Sequence, residues 1–539
     1  MPYSVRVAVS LGPSTVGLAR EPAIRIQVDN AANHLESAGA AMISRSASVG
    51  CGSRPNSLAY LLHRITTLIL IAGTLALSID SGNLGVCAEK RSAPNIVFIL
   101  IDDMGWTDLG CFGSRFYETP NIDRLARQGM RFTDAYAACC VCSPSRASIL
   151  TGKYPARLHL TDWIAGHNRP HAKLAIPDWT KYLPLEEVTL AEALKPAGYA
   201  SAAIGKWHLG SAPYTPEAQG FDLNFAGDHR GQPPSYFWPY EIPNVASGQP
   251  GEYLTDRLGD EALKFIEANR QRPFFVYLAH YAVHTPLQAK KEQIQRYQAK
   301  IQPGQAQCNA TYAAMIDSVD QCVGRVMKKL DELDLSRRTI VFFMSDNGGL
   351  IKSTSNLPLR AGKGSPWEGG VRVPLIVVWP GVVPAGSVCH QPVISTDFYP
   401  TILEMALTPG DAQHNAHVDG VSLMPLLKQT GVPPRDAIYW HYPHYHPGGA
   451  TPYSAIRRGN DKLIEFHEDN HVELYNLQDD LGETTDLAVK LPGLAGQLRA
   501  QLHQWRDSVG AQMPHPNPAY DPTRDEKRIA LSRLQPSEP

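Results

Sequence analysis

The run Cys142-Ser143-Pro144-Ser145-Arg146-Ala147-Ser148-Ile149-Leu150-Thr151-Gly152 sets a thiol and a guanidinium one helical turn apart. Pro144 suits the first turn of a helix and Gly152 its end. Cys142 therefore falls just before a helix N-terminus, where unpaired N–H groups and the helix dipole favour a bound anion. A lone cysteine in such a place is often no more than a small buried apolar residue. Two acidic clusters supply further polar chemistry: Asp102-Asp103 follows the run Asn95–Ile101 (NIVFILI), and Asp346-Asn347 follows 339–344 (TIVFFM). One such pair can simply cap a helix or turn. Two pairs, each at the end of a strand, are harder to explain that way.

These runs are continuous, β-branched and aromatic, the pattern of strands buried on both faces. Two more are 273–278 (PFFVYL), leading into His280 and His284, and 374–378 (PLIVV), stopping at Pro380. Helical patterns lie between them, at 119–128 with Asn121 or Thr119 as cap and at 310–333. Strands alternating with helices predict a doubly wound α/β domain with a mostly parallel sheet flanked by helices, over residues 89–434. Ligands in such folds collect at the carboxyl ends of strands. From about Arg435 short alternating segments (455–458, 462–466, 472–476) and a helix over 494–509 predict a smaller C-terminal α+β domain, 435–513, with a short antiparallel sheet. The Pro-rich, charged stretch 514–539 reads as a loose tail.

The 539 residues are 43% hydrophobic and 19% charged, with net charge −2 and pI near 6.8. No basic excess points to nucleic acid. Residues 1–88 read as a leader: Arg45, Arg54 and Arg64 precede an apolar core at 65–77, and Val86-Cys87-Ala88 is a small-residue cleavage site. An uncleaved anchor is the alternative, though the core is short for a membrane span. Met42 would set the signal at an ordinary distance from the start, and Val86 before Cys87 does not suit a lipoprotein site. The expectation is export, to a periplasm or the exterior, with no stable membrane insertion. Seven of the nine cysteines lie beyond the leader, so disulfides are open but their pairing is not assigned.

The 142–152 run resembles the signature of the type I, formylglycine-dependent sulfatases of the alkaline phosphatase superfamily, C-x-P-S-R followed by L-T-G, at every fixed position. The resemblance implies that a formylglycine-generating enzyme oxidises Cys142 to formylglycine. Its hydrate would attack sulfur with one hydroxyl and expel sulfate through the second. Asp102, Asp103, Asp346 and Asn347 match the family's calcium ligands, joined by an oxygen of the modified Cys142. Hard oxygen donors fit Ca2+, or Mg2+, rather than zinc. Arg146 would orient the diol. Lys206 and His208, in Gly205-Lys206-Trp207-His208-Leu209-Gly210, would bind sulfate and take the diol proton. Apart from the resemblance, that segment could be a loop with a solvated lysine and a packed tryptophan.

His284 matches a substrate-side histidine, and Lys363 a lysine that contacts sulfate and protonates the leaving oxygen. His280 has no clear role, and 368–374 reads as scaffold, with Glu368 a candidate to support the site from behind the groups that touch substrate or metal. The segment His441-Tyr442-Pro443-His444-Tyr445-His446 does not have zinc spacing and is read as substrate-binding, through His444. Asp162, Trp163, His167, Arg169 and Asp228-His229-Arg230 are further candidates for reading the leaving group. The expected activity is hydrolysis of sulfate monoesters, on a sulfated carbohydrate. The rivals are a formylglycine hydrolase of phosphonate or phosphate esters and an inactive, exported glycan-binding protein. In protein from the native host, the Cys142 peptide is expected about 18 Da lighter than the encoded cysteine; an unmodified thiol in active protein, by mass spectrometry, contradicts this.

Overall fold

The computed structural model describes residues 93–525; the leader and residues 526–539 lie outside the described residues. Strand β1 (Asn95–Ile101) is buried along its whole length. Val97, Ile99 and Ile101 point into one apolar core, and Ile96, Phe98 and Leu100 into a second. This two-sided burial is why the run shows no polar alternation. The other strands of the large sheet are β2 (Met130–Phe132), β3 (Ala200–Gly205), β4 (Leu223–Phe225), β5 (Phe274–Ala279), β6 (Thr339–Ser345), β7 (Leu375–Val378) and β8 (Ser387–Cys389). Their order is β8-β2-β7-β6-β1-β5-β3-β4. All neighbours are parallel except β7, which runs antiparallel to both β2 and β6.

Helices α1 (Pro120–Gln128), α3 (Leu254–Ala268) and α4 (Ala310–Glu332) cover the first face. Helix α2 (Cys142–Thr151) covers the second and is buried on every side. Its small polar side chains make that burial tolerable by bonding to nearby backbone: Ser145 Oγ to the Cys139 carbonyl (3.1 Å) and Thr151 Oγ1 to the Ala147 carbonyl (2.8 Å). Gly152 ends the helix at φ 73°, a left-handed conformation that favours glycine.

The C-terminal sheet is antiparallel, β9 (Ala437–Tyr442), β10 (Tyr453–Arg458), β11 (Asp461–Phe466) and β12 (Val472–Asn476), covered by α5 (Pro492–Ser508). Strand β9 has no counterpart among the segments expected from sequence. Its histidine and aromatics resemble pocket lining, yet Trp440 and Tyr442 are core residues. The expectation of a loose tail fails for residues 514–525. His515–Pro516 pairs antiparallel with Leu174–Ala175, and Asn517 and Asp525 hold the same loop. Backbone ladders need no apolar periodicity, which is why composition does not reveal the docking. The seven described cysteines are all free, and no helix among the described residues is long and apolar enough to cross a membrane.

A buried ionic cluster ties the small sheet to the large one. Lys462 of β11 lies 2.9 Å from both Glu368 and Glu483, while Glu368 also accepts from Arg372 Nε (2.6 Å) and the Tyr136 hydroxyl (2.7 Å). Glu368 is thus part of the scaffold and bonds none of the site's residues directly, unlike the supporting role its sequence context suggests. Removing one partner strands the opposing charge in a dry interior, so Lys462→Met is expected to cost about 3–5 kcal/mol in denaturant unfolding; a loss under about 1 kcal/mol contradicts a structural role for the cluster.

Candidate active site

Register brings four strand ends together. Ile101 pairs with Ser345, Leu100 with Ala279, and Ala279 with Gly205. The next residues along the chain, Asp102, Asp346, His280 and Lys206, therefore leave the sheet on one edge. The N-terminus of α2 reaches the same point and delivers Cys142, with Arg146 one turn behind it. Asp103 (φ 60°) and His208 (φ 57°) sit in the left-handed region, a strain of order 1–3 kcal/mol per residue that the surrounding bonds must hold.

The charges are paired closely and all lie buried. Arg146 donates to Asp346 Oδ2 through Nε (2.9 Å) and to the Lys206 carbonyl (3.0 Å), and its Nη2 lies 3.8 Å from Asp102. Lys206 Nζ is 2.6 Å from Asp102 Oδ2, and Lys363 Nζ is 2.6 Å from Asp103 Oδ1. Burial raises the Asp102 carboxyl above the usual range, against the pull of Lys206. For Asp103 burial acts the same way, but Lys363 and then His284 outweigh it and hold the group below that range.

Oxygen acceptors remain over. Asp102 Oδ1, Asp103 Oδ2 and Asn347 Oδ1 are buried without hydrogen-bond partners, and ligand atoms of Asp102, Asp103 and His284, and of Asp102, Cys142 and Asp346, cluster within 4.8 Å. Unpaired buried acceptors are costly, and a hard cation is the partner this donor set fits. Asn347 Nδ2 donates to Asp103 Oδ1 (2.8 Å), which leaves its own carbonyl oxygen unpaired close to that carboxylate.

His208 lies 3.3 Å through Nδ1 from Cys142 Sγ, and its Nε2 bonds the Ile164 carbonyl. A carbonyl only accepts, so Nε2 carries the proton and the Nδ1 lone pair faces the Cys142 side chain. Burial, then Lys206, hold the imidazole well below its usual pKa. His284 has the opposite tautomer: Nδ1–H donates to the Thr285 carbonyl (2.8 Å), leaving the Nε2 lone pair 3.6 Å from Asp103. Its pKa is pushed down to about 3, by burial and then Lys363.

The structure thus gathers Cys142, Arg146, Lys206, His208, His284, Lys363, Asp102, Asp103, Asp346 and Asn347. His444 is a correction. It is fully buried, bonded to Thr161 Oγ1 (2.7 Å) and packed edge-on against Trp179. The histidine of that segment facing the site is His446, whose ring sits so close over Gly364 that a Cβ there would lie 1.8 Å from Nδ1. Gly448 N–H donates to that Nδ1 (2.8 Å), so Nε2 keeps its proton as a donor. His280 is buried with both ring nitrogens unpartnered, its pKa pushed down to about 3 by burial. Asp162 is buried under Tyr442, whose hydroxyl donates to it (2.7 Å), and Arg169 lies over the Tyr445 ring at 4.4 Å. Beside His208, residues Ile164, Ala165, His229, Arg230, Gly231, Gln232, Pro233 and Pro234 line a cavity of about 370 Å³. The Ile164 carbonyl and Gly231, which abuts the His208 ring, carry no sequence signal because backbone and glycine contacts leave none.

Residues 94–408 match the family model described as Sulfatase, and residues 363–508 the one described as N-sulphoglucosamine sulphohydrolase, C-terminal. A sulfatase of Formosa agariphila is 33% identical over 77% of this chain and 89% of its own. The N-acetylgalactosamine-6-sulfatase of Sus scrofa is 36% identical over 68% of this chain and 72% of its own. The crystal structure of Ps i-CgsB in complex with k-i-k-neocarrahexaose superposes with TM-score 0.66 at 30% identity, covering 82% of this chain and 97% of that one. The orphaned oxygens lead to a direct test by equilibrium dialysis with Ca2+. The parent is expected to hold about one ion per chain and Asp103→Ala to bind it at least about 100-fold more weakly; equal binding by both contradicts the cation site.

Proposed function

The chain belongs to the sulfatase family and is a sulfuric ester hydrolase, and from that premise we propose that it desulfates a carbohydrate through a formylglycine at position 142 beside a calcium ion. The observation that carries this reading is the contact between Cys142 and the unprotonated Nδ1 of His208, inside a ring formed by Arg146, Lys206 and Lys363 at the start of α2. Asp102, Asp103, Asp346 and Asn347 are the residues that would hold calcium, which supplies positive charge against the sulfate oxygens. The modified residue, made by a formylglycine-generating enzyme, supplies two hydroxyls on one carbon: one bonds to sulfur and the other releases sulfate.

The chain's own groups then have distinct tasks. His208 takes a proton at Nδ1 while the Ile164 carbonyl keeps Nε2–H in place, so the base stays aimed at residue 142. Arg146 is locked by Asp346 and the Lys206 carbonyl and cannot swing away from the anion. Lys363 is held protonated by Asp103 and is the group able to give a proton to the leaving alcohol oxygen. His284 is neutral, with its lone pair toward the site, and acts as an acceptor for a substrate hydroxyl. Fixed donors of this kind are each worth about 3–4 kcal/mol in the transition state.

The cavity beside His208 receives the leaving group. Its prolines offer an apolar wall and Gln232, His229 and Arg230 offer polar tips, the mixture that suits a sugar ring. The N-acetylgalactosamine-6-sulfatase relative and the neocarrahexaose complex support a carbohydrate substrate, and the leader pattern supports an exported enzyme. Cys142→Ser retains one hydroxyl and lacks the second. Incubating this variant with 4-nitrophenyl sulfate is expected to add one sulfate, about 80 Da, to the peptide that carries the substitution and then stop. Repeated turnover at the parent rate contradicts the two-hydroxyl mechanism.

A further inference from the structure

The loop after α2 begins inside the active site and ends on the C-terminal segment. At its inner end the Ile164 N–H donates to Ser143 Oγ (3.2 Å), next to the nucleophile, and the Ile164 carbonyl holds His208. Ile164 and Ala165 then form one wall of the leaving-group cavity. Farther out, a series of the loop's ties runs to residues 512–525 and to Tyr445. Asn517 Nδ2 donates to the carbonyls of Pro170 (2.9 Å) and Ala172 (2.7 Å), while its Oδ1 accepts from Ala519 N–H (3.0 Å). His515–Pro516 pairs with Leu174–Ala175, Gln512 Nε2 donates to the Asp178 carbonyl (2.7 Å), and Asp525 pairs with Arg169. Leu174 N–H donates to the Tyr445 hydroxyl (3.1 Å).

From this arrangement we propose that residues 512–525 are a strap that positions the active-site wall 163–175, with Asn517 as its central positioning residue. Asn517 spends both side-chain donors on this junction, while its Oδ1 bonds within the strap. Its two donors fix carbonyls six and eight residues beyond Ile164, so the wall has one anchor at the nucleophile and one at the strap. Losing the outer anchor frees the wall to move relative to His208 and widens the cavity, which weakens the hold on the leaving group before it affects the buried charges.

The inference rests on the reading of this cavity as the leaving-group site, and two readouts separate them. Asn517→Asp keeps the shape and the bond from Ala519 N–H but removes both donors and sets a carboxylate against two carbonyls. In the full chain, hydrogen exchange is expected to quicken about tenfold or more in peptides covering 164–175 and to stay unchanged in β1, β6 and α2. KM for 4-nitrophenyl sulfate is expected to rise on the order of tenfold, with kcat lowered less. Asn517→Gln, which keeps the carboxamide donors, is expected to recover part of both. Unchanged exchange in 164–175 overturns the proposal, as does faster exchange there with KM unaltered. If the parent itself fails to hydrolyse sulfate esters, the function assigned to the site falls, and the exchange comparison alone decides whether the strap positions the wall.

Discussion

Three carboxylates buried at adjoining strand ends must be neutralised, and the architecture around the site answers that requirement. Asp102, Asp103 and Asp346 face Arg146, Lys206 and Lys363 at short range, all of them buried. An isolated carboxylate in such surroundings would be expelled or protonated. The six side chains balance one another, so the cluster itself offers an incoming anion little net attraction. The unpaired oxygens of Asp102, Asp103 and Asn347 can take added positive charge, and the proposed divalent ion would tip the balance toward an anionic substrate.

That balance depends on register. A slip of one residue between β1 and β6 would part Asp102 from Asp346 and turn every side chain of the slipped strand to the other core. In β1 and β6 the close packing of each side chain into its own core holds the register, since a slip would force differently shaped side chains into both. The buried α2 sets Arg146 against Asp346, and the 163–175 wall sets the tautomer of His208 through one carbonyl. The small C-terminal sheet contributes at a distance, joined through Lys462 and Glu368, and brings His446 over Gly364.

How much of this is legible in the sequence varies with the physics of each element. Strands such as NIVFILI and TIVFFM are legible because two-sided burial demands an unbroken apolar run, and their terminal acids mark the site. Strand β3, ASAAIG, is not: alanines leave no strand pattern, and Lys206 and His208 are found from the residues beyond it. In the 441–446 segment the sequence shows histidines but not directions. Strand β9 ends at Tyr442, the chain bends at His444, whose side chain goes inward, and His446 packs over Gly364. The docking of 515–517 on the wall loop is invisible because its bonds are to backbone. Residue identity reveals which groups do chemistry; long-range packing decides which of several similar groups face it.

On the proposed function the buried cluster would become a sulfate site when a calcium ion joins it, and the roles proposed for the surrounding residues depend on that step. Linkage makes this measurable without turnover, by calorimetric titration of inorganic sulfate into the protein with and without saturating Ca2+. Coupling between such sites commonly changes affinity by about 5- to 150-fold. Sulfate is expected to bind at least about tenfold tighter to the calcium-loaded protein, with the same factor appearing in calcium affinity when sulfate is present. Equal sulfate affinity in the loaded and metal-free protein would contradict this coupling.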